Sequence, residues 1–195
     1  PLASNFSTLY ESPDAATIYA YTPAITKSPS GRLIATIDLG GPGPIDMPDT
    51  RALAAEQGID GLDHHGRIYT SDDHGGTWTH RGNFPYMHAR PFCAGDSIYV
   101  LGHRGDLLVV RSDDDGDTWS LPSTLTVDGY WHQSACNVHY ANDCVYLVME
   151  RLVAEPWASH TSAFAPVLMR GAVADDLTEP ASWTYASELV FQEAI

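Results

Sequence analysis

Two eight-residue stretches of this chain spell one pattern. Ser71-Asp72-Asp73-His74-Gly75-Gly76-Thr77-Trp78 and Ser112-Asp113-Asp114-Asp115-Gly116-Asp117-Thr118-Trp119 both read S-x-D-x-G-x-T-W, and they begin 41 residues apart. The residue types describe a tight turn. Ser and Asp side chains bond to turn backbone, Gly takes a positive φ, and Trp closes the turn against its neighbours. A turn recurring at this spacing has the period of a four-stranded propeller blade. The frequent glycines (16) and prolines (13) agree with many short strands rather than helices.

Strands fall into register around these turns. Tyr19–Ala24 and Leu33–Leu39 read as the two inner strands of a first blade, and Ile68–Ser71 leads into the first turn. A second blade reads Ala89–Ala94, a Gly95-Asp96 turn, Ser97–Gly102 and Leu107–Arg111. A third reads Gln133–Tyr140, a turn at Ala141–Asp143, Cys144–Arg151 and Ala163–Arg170. It closes through Asp175–Trp183, a degenerate copy of the turn that keeps its Trp. The expected blades cover residues 17–84, 85–128 and 129–187, with a fourth opening at 188–195. The expected fold is an all-β propeller. About three blades do not close a ring, which takes roughly 4–8, so this chain is expected to supply the N-terminal part of one propeller, completed by further blades.

Charge narrows the function. Against 25 acidic residues stand 10 basic ones, a formal net charge of -15. Nucleic-acid binders present basic faces, so that class is excluded. No apolar run is long enough to span a membrane as a helix, and no membrane partner is expected. An acidic ligand must be met by a local cluster of Arg and His, because the global field repels it. Cys93, Cys136 and Cys144 are odd in number and lack a framework spacing, so free thiols are expected.

Propeller geometry gathers first-strand starts and the loops after second strands at one mouth. Those positions hold Tyr21 and Thr22, Tyr86 and His88, and Tyr130, Trp131 and His132. The loops add His103-Arg104, Arg151 through His160, and the long segment Gly40–His65 with its helical-looking stretch Thr50–Gln57. Each has a plain structural alternative: His88 and His132 as hydrogen-bonded core residues, Arg151 as a partner of Glu150. Asp63-His64-His65 has a metal-like composition without a defensible ligand spacing.

The repeated turn resembles the Asp-box of sialidase-like (BNR-repeat) propellers. That resemblance implies six or seven blades when complete, with the boxes on the face away from the active site. A sialidase carries an arginine in a Phe/Tyr-Arg-Ile-Pro motif on the first inner strand; here Tyr21-Thr22-Pro23-Ala24-Ile25 keeps the frame and has Thr22 in its place. The chain is also similar to the ulvan-lyase type of polysaccharide lyase, built on the same box-bearing propeller. This similarity implies cleavage of a uronate-containing, possibly sulfated extracellular polysaccharide, with histidines, a tyrosine and an arginine at the axial mouth.

β-Elimination gives those residue types a purpose. The uronate carboxylate must be neutralised, which is the role expected of Arg151 with His103. A base removes the C5 proton, a role suiting His88, and Tyr130 suits the acid that protonates the leaving oxygen. Arg104, His132, Tyr86, Trp131 and His160 are the expected substrate contacts. A glycoside hydrolase, needing two mouth carboxylates, and a non-catalytic glycan-binding propeller are the alternatives. Elimination requires no cofactor; a structural Ca or Zn ion is compatible with it. The expected protein is a monomer, secreted or periplasmic.

Overall fold

The computed structural model describes residues 5–132, 138–153 and 163–188. Three antiparallel sheets follow one another along the chain, and in the first two successive strands are neighbours throughout. The first comprises β1 (Tyr19–Lys27), β2 (Leu33–Gly40), β3 (His65–Ser71) and β4 (Thr79–Phe84). The second comprises β5 (Met87–Ala94), β6 (Ser97–Arg104), β7 (Asp106–Ser112) and β8 (Ser123–Thr124). In the third, β9 (Trp131–His132) and β10 (His139–Ala141) both pair with β11 (Cys144–Leu152), followed by β12 (Phe164–Ala172) and β13 (Trp183–Tyr185). The expected start of a fourth blade, Cys136 and His160 lie outside the described residues.

Burial explains why the second strands read as nearly unbroken apolar runs. β6 is buried along almost its whole length, because a different blade covers each of its faces. Ile98 and Val100 pack with Ile34 and Ile68 of the first blade and with Phe84, Tyr86 and Val110. Tyr99 and Leu101, pointing the other way, pack with Val145, Leu147, Met149, Val167 and Met169 of the third. Side chains alternate along a strand, so β6 joins two blade interfaces. The outer face of the first blade carries Ile37, Leu39 and Tyr69, covered by Leu9, Tyr10, Met47 and Trp78.

The two repeated turns have the same hydrogen bonds. In the first, Gly75 N–H donates to Ser71 Oγ at 2.8 Å, while Thr77 N–H and Thr77 Oγ1 donate to the two oxygens of Asp73, each at 2.8 Å. In the second, Gly116 N–H donates to Ser112 Oγ and Thr118 N–H to Asp114, both at 2.8 Å. Gly75 and Gly116 have φ of 89° and 87°, which glycine adopts without steric cost. Trp119 Nε1 donates to Gly116 O at 3.1 Å. In the degenerate third turn Trp183 Nε1 donates to Leu177 O at 3.1 Å, and its ring meets Phe92 edge-on.

Arginines join these turns across blades. Arg32 contacts Asp72 at 2.6 Å and Asp117 at 2.7 Å, and Arg111 bridges Asp113 at 2.7 Å and Asp176 at 3.0 Å. This end of the sheets is opposite the end where Met87 pairs with His103 and His132 with Glu150. The long connection after β2 is ordered as a helix, α1 (Pro48–Gln57), begun by Pro48 and stopped by Gly58 at φ 64°. His65 Nδ1 and Thr50 Oγ1, 3.0 Å apart, tie the helix to β3.

Hydrogen bonds from Ser and Thr hold the carboxyls of Asp73 and Asp114 low, at about 2. Depressed carboxyls lend stability that is present above their ordinary range of about 4 and lost as pH falls through the folded value. The wild-type protein is therefore expected to lose thermal stability more steeply between about pH 4 and 2 than an Asp73→Asn/Asp114→Asn double variant. Melting temperature against pH measures this, and parallel curves would contradict it.

Candidate active site

Each inner strand of the first two blades breaks its pairing at its mouth end. β1 slips between Tyr21 and Ala24, and β5 slips between Met87 and Arg90. At the same place in each slip stands a non-glycine residue with positive φ, Thr22 at 50° and His88 at 55°. Such conformations are uncommon for these residues and persist only where surrounding structure holds them. Here the holder is Asp38. It is 1% exposed, on β2, and its Oδ2 accepts a 2.5 Å hydrogen bond from the backbone N–H of His88. The bulge turns the His88 imidazole into the mouth.

Three imidazoles meet there. His88 Nδ1 and His103 Nε2 are 3.0 Å apart. The His132 ring lies 4.8 Å from that of His88 and 5.4 Å from that of His103, centroid to centroid. His132 Nδ1 is 3.0 Å from Glu150 Oε2, a contact set by strand register, since the two residues face each other across β9 and β11. Phe164 packs against His132, and the Tyr21 ring meets His88 edge-on at 6.1 Å.

Burial sets the protonation of this cluster. Loss of water lowers His88 to about 4, helped by the adjacent His132, and lowers His103 to about 3, helped by both other rings. Both are neutral near pH 7. His64, whose Nδ1 is 2.6 Å from Asp63, is near enough to disfavour a second positive charge on either ring. Burial raises Asp38 to about 7 despite hydrogen bonds from His88, Thr22 and Ala89, and its Oδ1 has no hydrogen-bond partner among the described residues. Tyr21 is pushed up to about 12 by burial and by the nearby carboxylates of Asp38 and Asp63.

The structure thus brings His88, His103 and His132 together, as their strand positions predict. Other expected contacts lie elsewhere. Tyr86 is fully buried, donates its hydroxyl to Val100 O at 2.7 Å and belongs to the core between blades. Trp131 is also core, packed with the residues between the second and third blades. Both were expected at the mouth as first-strand starts; alternation sends Trp131 to the face opposite His132, and the slip between Met87 and Arg90 separates Tyr86, which precedes β5, from His88. Arg151 follows Glu150 on β11; it pairs with Glu188, whereas Glu150 takes His132. Tyr130, 56% exposed, and Arg104, exposed at the end of β6, stand at the rim. Asp38 was not read from the sequence as a site residue. Its signal is present, a lone carboxylate inside the otherwise apolar run Leu33–Gly40.

No family model and no curated protein matches this chain. Solved structures share its fold. They include an α-L-arabinofuranosidase from Lactobacillus brevis at 14% identity and TM-score 0.57, matching 91% of this chain and 58% of that one. An α-L-arabinanase from Penicillium chrysogenum, complexed with arabinobiose, matches at 16% identity and TM-score 0.52, over 89% of this chain and 48% of that one. A Hadza microbial sialidase matches at 15% identity and TM-score 0.53, over 87% and 37%. The fold is therefore a partial β-propeller of the architecture used by glycosidases and sialidases. This chain spans less than two thirds of each of those structures.

Asp38→Ala leaves the His88 N–H buried without its acceptor, which costs about 1–3 kcal/mol, whereas Asp38→Asn keeps an acceptor oxygen. Chemical denaturation is expected to rank wild type close to Asp38→Asn and well above Asp38→Ala. Equal loss in both variants would assign the carboxylate a role other than holding this bulge.

Proposed function

We propose that the protein cleaves a polysaccharide at this mouth, by β-elimination from a uronate-containing, possibly sulfated extracellular polymer. The observation that carries the reading is the His88–His103 pair: two imidazoles 3.0 Å apart, both neutral near pH 7, at the end of the sheets away from the repeated turns. An imidazole in that state accepts a proton without first losing one.

In this reading His88, the more exposed of the pair, takes the C5 proton, and its hydrogen bond to His103 orients it. Tyr130 at the rim protonates the departing oxygen. His103 supplies a hydrogen bond rather than a charge, so the uronate carboxylate is met by the exposed guanidinium of Arg104 at the rim. Action outside the cytoplasm, secreted or periplasmic, follows from the size of the substrate. Fold-level support comes from solved neighbours that act on glycans, among them the arabinanase complexed with arabinobiose.

A second reading, hydrolysis of a glycosidic bond, is favoured by the same neighbours and by Glu150 beside His132. It requires two carboxylates flanking the bond, about 5–5.5 Å apart for retention or 6.5–9.5 Å for inversion. Asp38 is too buried to flank a substrate. Glu150 contacts His132 of the cluster, and Asp63 is exposed beside His64.

Incubation of the protein with ulvan and other uronate polymers separates the two. Elimination leaves an unsaturated sugar and a rise in ultraviolet absorbance, which His88→Ala is expected to reduce by about 10²-fold or more. New reducing ends without ultraviolet absorbance, lost in Glu150→Gln, would replace elimination with hydrolysis.

A further inference from the structure

We infer that His88, His103 and His132 form a three-nitrogen centre for a divalent transition-metal ion, with Glu150 holding one ligand in place. Each residue offers one ligand atom, and the three atoms lie within 4.8 Å of one another. Tetrahedral zinc, with Zn–N of about 2.0–2.1 Å, places its ligand nitrogens about 3.3 Å apart. His88 Nδ1 and His103 Nε2 already stand 3.0 Å apart. The third nitrogen, within 4.8 Å of the other two, completes the triangle by closing to the same spacing.

Placement of the ligands favours a built centre over a chance meeting of side chains. They come from three strands, β5, β6 and β9, and two blades meet through them. His88 reaches the cluster only because its backbone adopts φ 55° against Asp38. His132 Nδ1 is engaged by Glu150, so the ligand nitrogen on that ring is Nε2. A carboxylate on the far nitrogen of a metal-binding imidazole fixes its tautomer and orientation and strengthens it as a ligand. Three imidazoles, with a water molecule able to serve as the fourth ligand, make a site for zinc or a similar borderline ion. Hard ions such as calcium require a shell of oxygens, which this cluster does not provide.

The centre goes beyond the elimination reading and is measured without turnover. A bound ion takes up the lone pair of His88, so the proton transfer assigned to His88 belongs to the metal-free protein. Zinc occupancy and ultraviolet-absorbing product are thus separate readouts, and either can fail alone.

The test is metal binding to the full chain after dialysis against a chelator. Calorimetric titration with Zn²⁺ is expected to show one ion per chain, and Co²⁺ to give the visible d–d bands of a low-symmetry nitrogen site. His132→Ala, in which the altered residue is only half-buried, is expected to abolish stoichiometric uptake. Glu150→Gln is expected to weaken it about 10–100-fold. His139→Ala, at the opposite end of the third blade, should bind as wild type does, and Ca²⁺ should give no heat. Folded wild-type protein, checked by circular dichroism, that takes up no Zn²⁺ would overturn the centre. So would uptake that survives both His88→Ala and His132→Ala.

Discussion

The double-sided burial of β6, the second strand of the middle blade, is the constraint on which the rest depends. β6 is covered on one face by the first blade and on the other by the third, so its side chains alternate between two cores. That arrangement fixes the blades against one another and therefore the ends of their strands. At one end the repeated turns are crossed by Arg32 and Arg111. At the other, the strand ends deliver His103 on β6 beside His88 on β5 and His132 on β9. Convergence of the three histidines is thus a consequence of packing several residues away.

Rigidity at the mouth comes from a second device, the bulge in the inner strand. A regular β5 would carry its backbone past the mouth with unbroken pairing. Instead the slip between Met87 and Arg90 places His88 in a left-handed conformation, and Asp38 from the neighbouring blade accepts its N–H. Asp38 is itself destabilised as an anion by burial. A buried carboxylate at a blade interface is unfavourable unless it satisfies a specific donor, and the donor here is the residue that the site uses. Thr22 occupies the corresponding position of the first blade with almost the same φ. The device therefore recurs in both described inner-strand bulges, and of these two the second blade's carries an imidazole.

Much of this was legible in the sequence, and the parts that were not have physical reasons. The repeated turns announce themselves because their side chains bond locally, within five residues, and so leave a fixed spelling. β2 and β6 announce themselves because burial on both faces leaves little polar alternation. His88, His103 and His132 follow from those two anchors by counting. Trp131 was misplaced because adjacent residues on a strand point to opposite faces, and Tyr86 because the slip between Met87 and Arg90 breaks the phase that counting back from His88 assumes. Arg151 shows the same parity: Glu150 shares the face of His132, while Arg151 is drawn to Glu188. The bulges themselves carry no glycine or proline at the left-handed position to mark them.

Electrostatics connects the two uses open to the cluster. The chain carries a formal charge of -15, so an anionic polymer approaches against the overall field, and the mouth must supply local positive charge. Burial denies that charge to His88 and His103, because a cation there would lose its water without gaining a close counter-ion. What burial takes away as charge it leaves as lone pairs. Neutral nitrogens crowded at a partly enclosed site serve either as proton acceptors or as ligands. A divalent ion restores in one step the positive charge that protonation cannot, with the negative carboxylates of Glu150 and the acidic chain around it now favouring occupancy rather than opposing approach.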